Sequence, residues 1–248
     1  LSAAQSYKVE SKAATTRLRL SDIAWNPANP ISLNTGWNWL GYPISQTMSL
    51  NEAFANVEPN EGDYIVGQDG FAQYADNTWV GTLMTLAPGK GYLYHSQNEM
   101  SFAYNANIVS KAKALYGKGL PNQTPWTPDV HKYPNIMCLV AEVYENGQIS
   151  QDYSIGAFCG TECRGVGKYV DGMLMMNIYG EGNEKIVFRA VHNETQESFD
   201  ITEEIPFKEI LIGSLSQPYA LHIGKATGVT EIQTGWKVWV NGNDLYVT

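Results

Sequence analysis

The chain has 248 residues, 44% of them apolar and only 17% charged, with a formal net charge of -9 at pH 7 and an isoelectric point near 4.9. This is the balance of a packed globular protein. It excludes nucleic acid and anionic membrane surfaces as partners, because both need a basic face, and no window approaches the roughly 18 apolar residues of a membrane-inserted helix.

Aromatics are plentiful, with 7 Trp, 15 Tyr and 7 Phe among 23 Gly and 11 Pro, which favours strands between frequent turns. From Tyr7 to Leu20 the alternation predicts one or two strands, with Val9, Leu18 and Leu20 facing inward. Trp25 to Pro30 breaks the pattern, since Pro27 and Pro30 do not fit a central strand. "ISLNTGWNWLGYP" then runs strand, turn, strand, and the period of two places Trp37 and Trp39 on one face. "SLNEAFANV", Ser49 to Val57, predicts a helix: Ser49 and Glu52 form a capping box, and Leu50, Ala53, Phe54 and Val57 an apolar stripe. Short strands follow at Tyr64 to Gln68, Phe71 to Ala75, Thr78 to Leu83 and Gly91 to His95.

From about Ser110 to Tyr133 the chain loses periodicity and carries Pro121, Pro125 and Pro128, the composition of a linker. Beyond it, Asn146-Gly147 marks a hairpin. Strands are predicted at Ser154 to Cys159, Cys163 to Tyr169, Gly172 to Tyr179, Glu184 to His192, Glu197 to Ile201 and Tyr219 to Ile223. Turns between them recur roughly every 10 to 13 residues, as in an antiparallel sandwich. A polar connector and one hairpin around Asn241-Gly242 close the chain. The predicted organisation is therefore 1–110, an aromatic-rich β domain with one short helix; 111–133, a linker; 134–224, a sandwich; and 225–248, a connector and the start of a further element. Both termini read as cut, which predicts a piece of a longer, processed polypeptide.

Gly36-Trp37-Asn38-Trp39, Gly62-Asp63, Gln68 with Phe71-Ala72-Gln73-Tyr74, Trp79-Val80-Gly81-Thr82-Leu83 and Pro88 to Tyr92 together resemble a module of large exported surface proteins in Bacteroidetes-type bacteria. "IGAFCGTECRGVGKYVDGMLMMNIYGE", with the strands after it, is similar to the immunoglobulin-like module that often follows. The resemblance covers roughly residues 7 to 240. It implies a secreted or cell-surface accessory region serving adhesion, spacing or presentation, with a glycan or a host or matrix protein as its partner. It brings no catalytic residues and no cofactor. The fold class expected is mainly β: a small β-rich domain with one helix, then an immunoglobulin-like antiparallel β-sandwich.

Trp37, Trp39, Tyr42, Trp79 and Tyr92, with Tyr94, are the candidate ligand-binding residues. Exposed, they would make a sugar platform rimmed by Asn38, Gln68, Asp69, Gln73 and Asp76; buried, they would fill a small core. The flanking glycines favour the core, so Trp37→Ala or Trp39→Ala is expected to cost several kcal/mol. Gly89-Lys90-Gly91 lacks the spacing of a phosphate loop and reads as a turn. Cys159 and Cys163 could bridge across Gly160-Thr161, and Cys138 could bridge to either, with free thiols the default; the histidines do not complete a zinc set. Glu58, Glu61, Asp63, Asp69 and Asp76 lack a calcium-loop pattern. Glu142, Glu145, Glu203 and Glu204 define no glycosidase pair. The expectation is no enzyme, no metal and no cofactor; a carbohydrate-binding module beside a glycan-degrading enzyme is the alternative.

Overall fold

The computed structural model describes residues 2–9, 12, 17, 25–105 and 124–225, and the backbone of 226–229, 238–241 and 244–247. It is mainly β, with antiparallel sheets and one helix. The first domain contains β1 (Ile31–Leu33), β2 (Gly36–Gly41), β3 (Met48–Ser49), α1 (Leu50–Ala53), β4 (Tyr64–Gly67), β5 (Gly70–Ala75), β6 (Thr78–Gly81), β7 (Thr85–Leu86), β8 (Gly91–Ser96) and β9 (Met100–Phe102). Five of these form one antiparallel sheet in the order β2-β8-β4-β5-β6, while β1 pairs with β9 and β3 with β7.

The helix is shorter than the apolar stripe predicts. Its capping box is present, with Ser49 N donating to Glu52 Oε2 at 2.9 Å and Glu52 N to Ser49 Oγ at 3.2 Å. After Ala53 the chain continues in tight turns, Ala55 N to Glu52 O and Val57 N to Phe54 O, as it approaches Pro59, before which helical geometry is disfavoured. Leu50, Ala53 and Phe54 are nonetheless buried, and Val57 packs against the same core. This core fills the space between the inner face of the five-stranded sheet (Leu40, Ile65, Ala72, Trp79, Tyr92, Tyr94) and the short elements over it (Ile31, Leu33, Met48, Leu86, Phe102).

The second domain contains β10 (Asn135–Glu145), β11 (Gln148–Ile149), β12 (Tyr153–Cys159), β13 (Glu162–Val166), β14 (Lys168–Val170), β15 (Met173–Gly180), β16 (Lys185–His192), β17 (Glu197–Pro206), β18 (Leu211–Ile212) and β19 (Tyr219–Val229). Its pairing order is β13-β12-β16-β17-β19-β10-β15-β14. One layer is β14-β15-β10 and the other β13-β12-β16-β17. They are joined by β19, which pairs parallel to β10 over Tyr219–His222 and antiparallel to β17 farther on. At the opposite side β13 closes against β15: a Cβ on Gly165 would lie 2.3 Å from Asn177 O, so only glycine admits that approach. The sandwich is thus curled almost into a barrel around Met137, Leu139, Ile155, Met176, Ile178, Phe188 and their neighbours.

The Asn146-Gly147 hairpin forms as expected, with both residues at positive φ (50° and 80°). The last sandwich strand runs past Gly224 to Val229, so the predicted connector begins inside a strand. A hairpin of β20 (Val238–Asn241) and β21 (Asp244–Val247) follows. Tyr7 to Val9 are not a strand, and Val9 is exposed rather than inward; Leu18 and Leu20 lie outside the described residues, as do 111–123 of the linker. Trp126, within its described part, packs edge-on against Phe158.

The outer face of the five-stranded sheet meets the second domain. Tyr64, Val66 and Phe71 bury against Cys138, Val140 and Met175 in one apolar cluster. Alternation explains the seam. In β10, Met137, Leu139 and Ala141 face the sandwich core, which turns Cys138 and Val140 outward. In β15, Leu174, Met176 and Ile178 face the core, which turns Met175 and Asn177 outward. Hydrogen bonds frame it: Asn177 Nδ2 to Gly67 O at 3.2 Å, Tyr179 Oη to Gln68 O at 2.5 Å, and Leu215 N to Gln73 Oε1 at 2.9 Å.

Candidate functional site

The predicted aromatic set is split between the two faces of the sheet. Tyr42, Trp79 and Tyr92 are core residues, at 6%, 4% and 4% exposure. Tyr42 Oη donates to Gln46 O, and Tyr92 Oη accepts from Ala87 N; burial pushes both phenols up. Trp37 and Trp39 are 39% and 44% exposed, which corrects the expectation that they fill the core. The reason is parity: β2 spends its inward positions on Asn38 and Leu40, so the tryptophans on either side of Asn38 project from the outer face.

Nor do these two rings make one flat platform. The Lys8 ammonium sits over Trp39, 5.3 Å from the ring centre, while Lys8 Nζ also donates to Pro134 O. Trp37 instead turns inward along the sheet. Register places Trp37, His95, Tyr64 and Gln73 side by side across β2, β8, β4 and β5. Trp37 is edge-on to Tyr64 (5.2 Å) and to His95 (5.1 Å), and His95 stacks on Tyr64 at 4.8 Å and 13°.

Three members of this row, Tyr64, Gln73 and His95, form one wall of a cleft of about 510 Å³ between the domains. Tyr64, Gln73 and His95 line it from the sheet, Glu61 and Gln97 from neighbouring loops, and Ile210, Leu211 and Ser214 to Ser216 of the second domain opposite. Burial holds the His95 imidazole below its ordinary value of 6.5, against a smaller opposing pull from Asp63, which leaves the ring neutral at pH 7. Its Nδ1 is buried with no hydrogen-bond partner among the described residues. A neutral imidazole carries one donor and one acceptor.

The cleft is missed by composition and motif, because its groups come from four separate segments. The only sequence signal is parity: once β2, β8, β4 and β5 are paired, Trp37, His95, Tyr64 and Gln73 share a face. Of the predicted rim, only Gln73 reaches the cleft. Asn38 is spent within its own turn, donating to Asn34 O at 2.7 Å and Gly36 O at 2.9 Å and accepting from Asn34 N. Gln68 lies across the domain boundary, donating to Val130 O. Asp76 lies in a turn, and its N–H donates to Glu61.

Asp63, grouped from sequence with the loop acids, is fully buried. Its carboxylate accepts from Tyr94 Oη, Gln97 N and Asn60 N at 2.7–3.0 Å and so ties three segments together. The carboxylates weighed as a glycosidase pair have separate partners: Glu142 with Tyr144, Glu145 with Tyr153, Glu203 with His222 and Glu204 with Lys185. All three cysteines are free. Phe158 pairs with Cys163 and Cys159 with Glu162, so adjacent Phe158 and Cys159, and hence Cys163 and Cys159, face opposite sides of the hairpin. Gly89, at φ 74°, and Lys90 N donating to Ala87 O form the expected turn. Among the described residues no group of three or more His, Cys, Asp or Glu could hold a metal ion.

Comparison of the chain with protein-family models, with curated proteins and with solved structures produced no match.

Proposed function

We propose that the chain is a noncatalytic accessory region of an exported cell-surface protein, whose two β domains act as one stiff unit for spacing, presentation or adhesion. The sequence resemblance supplies the exported setting. The observation that carries the mechanical role is the seam: Tyr64, Val66 and Phe71 packed on Cys138, Val140 and Met175. A flexible linker between independent modules would leave such side chains wet. Burying a Val, Phe or Met contributes about 1.5–3 kcal/mol each, and the shared chain removes most of the entropic cost of bringing the partners together. Protease shaving and antibody labelling of intact cells expressing the full-length protein test the setting. Surface labelling that shaving removes is expected; label appearing only after lysis would overturn it.

A second reading, carbohydrate binding, is favoured by the two half-exposed tryptophans on the outer face of β2. Retention on polysaccharide-affinity gels, weakened by Trp37→Ala, is the expected result, and free migration through every gel opposes it.

A further inference from the structure

We infer that the interdomain cleft is a binding site for a neutral sugar residue, at the end of a glycan chain or free. The proposal rests on the carbohydrate reading above and moves it from the Trp37–Trp39 face to a different place. Four observations carry it. The volume, about 510 Å³, lies in the range of small-ligand sites. One wall supplies ring surface, Tyr64 stacked on His95, against which the C–H face of a sugar ring packs.

The polar groups around that wall are neutral amides and hydroxyls with capacity left. Gln73 is 5% exposed; its Oε1 accepts from Leu215 N, which fixes the amide and leaves Nε2 to donate. Finally, among the described residues the lining contains one carboxylate, Glu61, and no Lys or Arg. A phosphorylated, sulfated or carboxylated ligand would enter without a counter-charge, which selects an uncharged polyhydroxylated ligand.

The hollow beside Trp39 fits less well, because the Asn38 amide there is already spent on Asn34 and Gly36.

Saturation-transfer NMR on the whole chain tests this, with galactose, mannose, N-acetylglucosamine and cellobiose at millimolar concentration and glucuronate as the charged control. Transfer to at least one neutral sugar is expected. Ser216→Trp, which fills the cleft from an exposed loop position, weakens it about tenfold or more, while Trp39→Ala leaves it within about twofold. Thermal melts show that both variants are folded; if Ser216→Trp is not, Gln97→Trp takes its place with the same expectation. Binding that survives the filled cleft but is lost in Trp39→Ala overturns the site and leaves the carbohydrate reading standing. Preference for glucuronate overturns the ligand class. Silence from all four neutral sugars overturns the proposal, and retention on polysaccharide gels in that case shows that carbohydrate binding resides elsewhere.

Discussion

Within a single five-stranded sheet Trp79 is 4% exposed and Trp37 39%, so the same side chain has two roles set by strand parity. Trp79 packs against Phe54, Tyr74 and Tyr94, and Trp79→Ala should cost about 3–5 kcal/mol. Trp37→Ala and Trp39→Ala should each cost about 1–2 kcal/mol, since only part of each ring leaves water-free contact. Urea melts of the three variants check the order. His95 adds a pH dependence. Its pKa is lowered on folding, so its neutral form favours the folded state above the ordinary value of 6.5, and that contribution is lost as pH falls from there through the lowered folded value. His95→Phe keeps the stacking surface and removes the titration. Thermal melts between pH 7 and pH 5 should therefore show a shallower loss for the variant; equal slopes would contradict this.

At the scale of elements, much was legible. The period of two locates most strands, Asn146-Gly147 specifies its hairpin, and Ser49 with Glu52 specifies the helix start. Ser49→Ala should cost about 1 kcal/mol, read as a shifted denaturation midpoint with an unchanged slope. What the pattern does not decide is which face is inside. "GWNWLG" alternates equally well with tryptophan in or out, and Asn38 occupies an inward position because its amide satisfies the Asn34–Gly36 turn. The predicted helix over Ser49 to Val57 is apolar at the right spacing, yet the chain leaves helical geometry after Ala53 as it approaches Pro59. The loop acids concealed Asp63, whose burial depends on donors from Tyr94 and Gln97, distant in sequence.

For the whole molecule, the deciding feature lies in strands buried on both faces. "IMCLVA" in β10 and "MLMM" in β15 are continuous apolar runs, where a sandwich with one wet face would alternate. The same holds for β4 and β5, whose first four residues are all buried. Such runs announce a second covered face but not its cover, so the seam and the cleft beside it emerge only in three dimensions. The account requires the two domains to unfold together. Differential scanning calorimetry of the 248-residue chain tests this most directly. The prediction is a single transition with equal calorimetric and van't Hoff enthalpies, which Met175→Glu splits by placing a charge in the seam. Two separate transitions in the unaltered chain would contradict it.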